Sequence, residues 1–168
     1  MPSLSVTYAP CMRIVVYGIP APQGSKRPVR NKHTGKIHTI ENSERLAPWR
    51  QDVKYAAEAV LTEAGRPQPF QGAVVMRMIF TFARPASVKR SKRPWPSVFP
   101  DLDKLARGVL DALKAAGVMK DDCLVVEFTR LAKVYAGEDP EALDRPGVVI
   151  LIGELVDSLP IGGGSPGE

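Results

Sequence analysis

PDLDKLARGVLDALKAAGVMKDDCLVVE, residues 100–127, reads as a helix, a stop, a turn and the start of a strand, in that order. Leu102, Leu105, Ala106, Val109, Ala112, Leu113 and Ala116 recur at three- and four-residue spacing, so one face of the helix is apolar. Gly117 fits a left-handed cap, with Val118 as its customary apolar contact. Asp101 and Asp103 open the helix and Asp121 and Asp122 fall in the turn behind it. One helix-turn-strand unit thus carries four carboxylates.

Upstream, MRIVVYGI (12–19) is β-branched and apolar enough for a buried strand, ended by Gly18 and Pro20. Residues 20–40 show no periodicity, and Thr34-Gly35 marks a turn in a loop or short hairpin. Leu46, Trp49, Val53, Ala57, Val60, Leu61 and Ala64 predict a helix over 44–64, with Pro48 in the first turn, where its missing amide proton is harmless. At that spacing Trp49 belongs to the core. AVVMRMIFTFA (73–83) alternates, with Val74, Met76, Met78, Phe80 and Phe82 on one face and Arg77 and Thr81 on the other. Residues 84–100 are rich in Pro, Ser and basic residues and read as a mobile loop, in which Trp95 either stacks on DNA or anchors the loop.

Downstream, 123–135 and 147–155 read as strands joined by the acidic segment 137–144. The order is β, α, β, α, β, β, which predicts a single α/β (α+β) domain: a mixed sheet with helices packed against it. The domain is expected over 12–156, between an unstructured extension (1–11) and a disordered tail (157–168).

The chain has 168 residues, 44% of them hydrophobic and 24% charged, ordinary values for a globular domain with a real core. Its longest dense apolar run, 148–152, is far short of the roughly 20 residues that span a bilayer. Residues 1–11 lack a basic start followed by an apolar core, so a cytoplasmic location is expected. Cys11 and Cys123 are too few for a disulfide framework or an all-cysteine zinc site, and His33 and His38 without nearby Cys are a poor zinc pattern.

The net charge of +5 is unevenly spread. No Asp or Glu precedes Glu41, whereas Arg13, Lys26, Arg27, Arg30, Lys32 and Lys36 do, and a second acid-free block holds Arg84, Lys89, Arg90, Lys92 and Arg93. A single basic run is commonly a solvated loop. Two of them beside a carboxylate cluster favour phosphate binding. Phosphodiester hydrolysis needs an activated water and stabilised negative charge, which Mg²⁺ supplies while bound to one or two carboxylates and several waters.

Each acid also has a structural reading. Asp101 after Pro100 suits a helix N-cap, acids in a first turn suit the helix dipole, and Asp is common in turns. Distance is a further obstacle, because a sixteen-residue helix is about 24 Å long and its two ends cannot share one metal ion.

The run DLDKLARGVLDALKAAGVMKDD resembles the RusA family of Holliday junction resolvases, whose signature is DLDN, a helical Lys, DAL, an apolar run with Gly, and DD before a strand. A Gly-x-Pro and basic opening at 18–30 is similar to the family's N-terminal part more loosely. The resemblance implies a homodimer that binds four-way or other branched DNA and cuts it symmetrically with Mg²⁺ or Mn²⁺, in recombination and repair. It implies Asp101, Asp103 and Asp122 as metal-binding carboxylates, with Asp121 adjacent. Two residues depart from the signature: Lys104 stands in place of Asn, and Arg107 in place of the helical Lys.

Arg does not deprotonate at working pH, so Arg107 is expected to hold phosphate charge, with Lys104 taking part of the lysine's role. Asp103, Arg107 and Asp111 also lie at successive four-residue spacings and predict an ion-pair ladder with Asp111 orienting Arg107. Two rivals remain on sequence alone. One is a branched-DNA-binding module without turnover; the other is a nucleotidyl or sugar transferase using the Asp-x-Asp pair, which no Gly-rich phosphate loop supports.

Overall fold

The computed structural model describes residues 7–8, 12–24, 27–30, 37–40 and 44–156. In chain order these form β1 (Thr7–Tyr8), β2 (Met12–Tyr17), β3 (Arg27–Arg30), β4 (Ile37–Ile40), α1 (Leu46–Glu63), β5 (Val74–Phe82), α2 (Leu102–Ala116), a 3₁₀ turn (Asp122–Leu124), β6 (Val125–Tyr135) and β7 (Gly147–Val156). From β2 onward, with β3 and β4 set apart as a separate antiparallel pair, the order is the expected β, α, β, α, β, β. The Thr34-Gly35 turn and the 157–168 tail lie outside the described residues. Thr7 and Tyr8, expected in an unstructured extension, instead pair with Val156 and Leu155. Two residues of strand leave no periodicity to read.

The last strand of the sequence is central in space. β7 pairs antiparallel with β2 on one side, Met12 opposite Ile152 and Tyr17 opposite Gly147, and antiparallel with β5 on the other. β5 then pairs in parallel with β6. Parallel neighbours need a long crossover, and residues 84–124, including α2, supply it. The result is one α+β domain with a mixed sheet and two helices.

The core follows from the sequence periods. Val74, Met76, Met78 and Phe80 of β5 meet Trp49, Val53, Ala57 and Leu61 of α1 and Leu105, Val109, Ala112 and Leu113 of α2. Ile14, Val16, Val148, Ile150 and Ile152 extend this layer across the sheet. Each Val, Leu, Ile, Met or Phe among them contributes roughly 1.5–3 kcal/mol on burial.

The opposite face of the sheet departs from a simple polar reading. Thr81 is fully buried there, and its hydroxyl accepts a 3.0 Å bond from the Leu143 amide. Arg77 and Arg130 reach Asp139 and Glu141, so the acidic connector folds back over the sheet. No helix is long and apolar enough to cross a membrane among the described residues.

Candidate active site

The start of α2 projects two exposed carboxylates. Asp101 is extended (φ −68°, ψ 138°), and its carbonyl accepts from the Leu105 amide, but its side chain makes no cap bond. The carboxylate turns instead to the Lys104 ammonium at 2.7 Å. That bond holds the Asp101 carboxyl below its ordinary pKa and raises the Lys104 ammonium. Asp103 is exposed in the first helical turn. Asp101 thus stands at the N-cap position as its sequence implies, but its carboxylate pairs with Lys104 in place of a backbone amide.

The other end of α2 carries the second pair. Gly117 adopts the left-handed conformation (φ 81°), and the Val118 amide bonds back to the Leu113 carbonyl, ending the helix as its sequence implies. Asp121 then caps the 3₁₀ turn by accepting from the Cys123 amide at 3.1 Å. Its second oxygen accepts from Lys114 at 2.9 Å, with Asp122 3.9 Å from the same ammonium. Lys114 and the Cys123 amide hold the Asp121 carboxyl well below its ordinary range, and Asp121 in turn raises the Cys123 thiol and the Lys114 ammonium.

Fifteen helical residues separate these pairs by about 22 Å. Among the described residues, no three Asp, Glu, His or Cys side chains cluster closely enough to hold a metal ion. One chain thus brings Asp101 to Asp103 and Asp121 to Asp122, and keeps the pairs apart.

The expected ladder along α2 does not form. Asp111 pairs with Arg50 of α1 at 3.8 Å and so does not orient Arg107. Arg107 is exposed one turn beyond Asp103, with no ion pair among the described residues. Packing α1 against α2 brings Arg50 within reach of Asp111, which spacing within α2 alone does not reveal.

The 84–100 loop, expected to be mobile, is pinned to the sheet at both ends. Arg84 donates to the carbonyl oxygens of Arg93 (2.6 Å) and Pro94 (3.3 Å), grips Glu138 with two 2.6 Å bonds, and stacks 3.9 Å from the Tyr135 ring centre. Glu138 raises the Arg84 guanidinium and is itself held low by it. Lys133 donates to the carbonyls of Val98 and Pro100, both at 2.7 Å, and its burial lowers the ammonium pKa against the pull of Asp101. Trp95 is 70% exposed and therefore anchors nothing.

Lys89, Arg90 and Lys92 are exposed on this loop and Arg93 is half-buried, with Arg90 Nε 3.7 Å from Glu138. Of the first basic block, Lys26 and Lys32 lie outside the described residues, while Arg27 and Arg30 are the end residues of β3.

A family model described as endodeoxyribonuclease RusA matches residues 20–143. The chain belongs to the RusA family. No curated protein matches the chain. The RusA match includes both helices, β5, β6, the pinned loop and all four aspartates, so the family's extent covers the whole candidate site. It stops before β7, the central strand of the sheet. Membership makes the chain an endodeoxyribonuclease by class and fits the exposed acids and unpaired Arg107 of this RusA-family domain.

Sequence reasoning placed Arg84 in the second basic block without its loop-pinning role, and missed Lys114 and Lys133 as parts of the site. Lys114 was findable, since it stands on α2 three residues before the cap and faces the turn that follows. Lys133 had no local signal: its partners are 33 and 35 residues away.

Proposed function

We propose that the chain is a homodimeric, Mg²⁺-dependent endonuclease that resolves four-way and other branched DNA in recombination and repair. The observation that carries this reading is the division of the acids: an exposed pair at the start of α2 and a half-buried pair just past its end, with Arg107, unpaired among the described residues, beside the first.

The donors suit a hard divalent cation. They are all carboxylate oxygens, and Mg²⁺ takes one or two carboxylates together with waters and substrate phosphate. Lys104 and Lys114 stand against Asp101 and Asp121, so each pair already attracts a cation. Asp101, Asp103 and Asp122 would hold the ion, with Asp121 beside them, and Mn²⁺ would fit the same oxygens. When bound, the ion supplies Lewis-acid stabilisation and lowers the pKa of a water.

A second copy supports completion of the site. β6 is an edge strand among the described residues, and 126–129 are exposed on it, including the apolar Val126 and Phe128. The strand runs from the Asp122 end of α2 back to Lys133, which touches Pro100. A twofold axis near Phe128 reverses one β6 against the other. It would carry the partner's Asp121 and the partner's Asp122 toward Asp101 and Asp103, a closed isologous arrangement.

Arg107 would hold the scissile phosphate as a fixed charge, Asp103 and Asp101 would orient the attacking side, and Lys104 would offset their charge before substrate arrives. Lys26, Arg27, Arg30 and Lys32 with Lys89, Arg90, Lys92 and Arg93 would hold the DNA arms by backbone contacts, which recognise shape more than sequence. The same reading takes 12–156 as the nuclease domain and places it in the cytoplasm of a bacterial cell, possessed by the host or by a phage.

The test is cleavage of a synthetic four-way junction, with linear duplex as control, in Mg²⁺ and in EDTA. Paired symmetric nicks on the junction alone, and only with Mg²⁺, are expected. Tight binding without cuts in Mg²⁺ or Mn²⁺ would replace this reading with a non-catalytic DNA-binding module.

A further inference from the structure

Between the pinned loop and strands β5 and β6 lies a cavity of about 190 Å³, lined chiefly by Phe82, Pro96, Val98, Phe99, Pro100 and Tyr135. A cavity of about 150 Å³ holds one benzene ring, so this one takes a single substituted aromatic ring. Its wall is largely apolar, but Tyr135, only 3% exposed, carries a hydroxyl with no hydrogen-bond partner among the described residues. A buried hydroxyl left unpaired is costly and calls for a partner that the described residues do not provide.

Lys133 adds a second polar group. Two of its three N–H donors go to Val98 and Pro100, leaving one for another acceptor. Phe99, 76% exposed, stands at the rim, and the next wall residue, Pro100, directly precedes Asp101. Arg93 of the covering loop also lines the cavity, and the exposed Lys89, Arg90 and Lys92 of the same loop favour a polyanionic partner.

We propose that this cavity is a nucleobase pocket, which receives one unpaired base from the branch point beside the carboxylates of α2. The proposal rests on the nuclease reading above and adds a base-recognising site to it. The aromatic wall supplies a stacking surface, which accepts any base through its π-face. Tyr135 Oη and Lys133 Nζ supply donors for an exocyclic carbonyl oxygen. Cytosine, thymine and guanine carry such an oxygen and adenine does not, so the pocket disfavours adenine. Taking a base from an intact duplex costs unstacking energy, which is least where the base is already unpaired. A base pocket therefore favours branch points over continuous duplex.

Cross-linking tests the location. Four-way junctions carrying a single 5-iodouracil, at the branch point or ten pairs along one arm, are bound to the full chain in EDTA and irradiated. The expected result is a branch-point cross-link to Phe82, Phe99 or Tyr135, with none from the distant position. A branch-point cross-link confined to Trp95 or to residues outside the cavity overturns the pocket.

Tyr135→Phe tests the chemistry, because it removes only an unpaired hydroxyl and keeps the ring under Arg84. Wild type is expected to bind a junction with thymine at the mapped position several-fold more tightly than one with its non-polar isostere difluorotoluene. The variant should bring the two within about twofold. An unchanged preference in the variant also overturns the pocket. Neither experiment needs cleavage. Pocket cross-links in a protein that never cuts keep the pocket and remove the nuclease reading, whereas Mg²⁺-dependent cutting without pocket cross-links does the reverse.

Discussion

Lys133 Nζ lies 2.7 Å from the Pro100 carbonyl oxygen, so a residue near the end of β6 holds the root of the helix that displays Asp101 and Asp103. The same ammonium binds the Val98 carbonyl, and neither oxygen accepts another hydrogen bond among the described residues. Lys133→Met leaves the part-buried Pro100 oxygen unpaired, at about 1–3 kcal/mol, and hands the exposed Val98 oxygen to water. Displacing a catalytic group by about 1 Å lowers rate by up to ~10²-fold. Junction cleavage by the variant should therefore fall on the order of 10- to 100-fold, with a smaller loss of junction affinity measured by gel shift. Wild-type cleavage with wild-type stability would show that the tether does not position Asp101.

The proposed division of the carboxylates between two protomers has a genetic signature. Asp103→Asn and Asp122→Asn should each abolish cutting while keeping junction binding. If a site takes Asp103 from one protomer and the partner's Asp122, a mixed dimer of the two variants contains one intact site and one doubly altered site. Mixing the inactive variants under subunit exchange should restore single nicks and not paired cuts. No restoration, with mixed dimers verified by tag pull-down, would place all ligands of a site within one chain.

The helices and β5 are legible in the sequence because their apolar residues repeat at the period of the element. Trp49 and Phe80 can be placed in the core from spacing alone, and Gly117 marks its helix end by conformation. The two ends of α2 are also legible as acidic, and so is the distance between them. What spacing cannot reveal is contact across elements. Asp111 turns to Arg50 rather than Arg107, Thr81 is covered by Leu143, and the basic, proline-rich 84–100 loop is tied down by Arg84 and Lys133. Each of these depends on how the sheet brings distant segments together, and none leaves a local pattern.

Lys104 and Arg107 separate by what they touch. Lys104 already occupies Asp101, whereas Arg107 is free for phosphate. Lys104→Met removes a cation that competes for the Asp101 carboxylate and should lower the Mg²⁺ concentration for half-maximal cleavage several-fold. Arg107→Met removes a charge-assisted bond of about 1.5–3 kcal/mol and should lower kcat/KM by roughly 10- to 100-fold at saturating Mg²⁺, with the Mg²⁺ midpoint unchanged. A higher Mg²⁺ requirement in the Lys104 variant, or an inert Arg107 substitution, contradicts this division.

Acid sensitivity should report the network on the open face of the sheet. Arg130 bonds both Asp139 and Glu141, and those bonds hold the two carboxyls below their ordinary pKa values. A carboxyl depressed on folding adds stability that is fully present above its unfolded pKa, about 4 for Asp and Glu, and is lost as pH falls through the folded value. Partial exposure of all three side chains limits the effect to the order of 1 kcal/mol. Arg130→Gln should therefore lower Tm at pH 7 and approach wild type as pH falls through the folded pKa values of the two carboxyls. Melting curves followed by circular dichroism from pH 7 to pH 2 decide the matter, because parallel pH profiles for the two proteins would mean that Arg130 holds the acidic connector by packing alone.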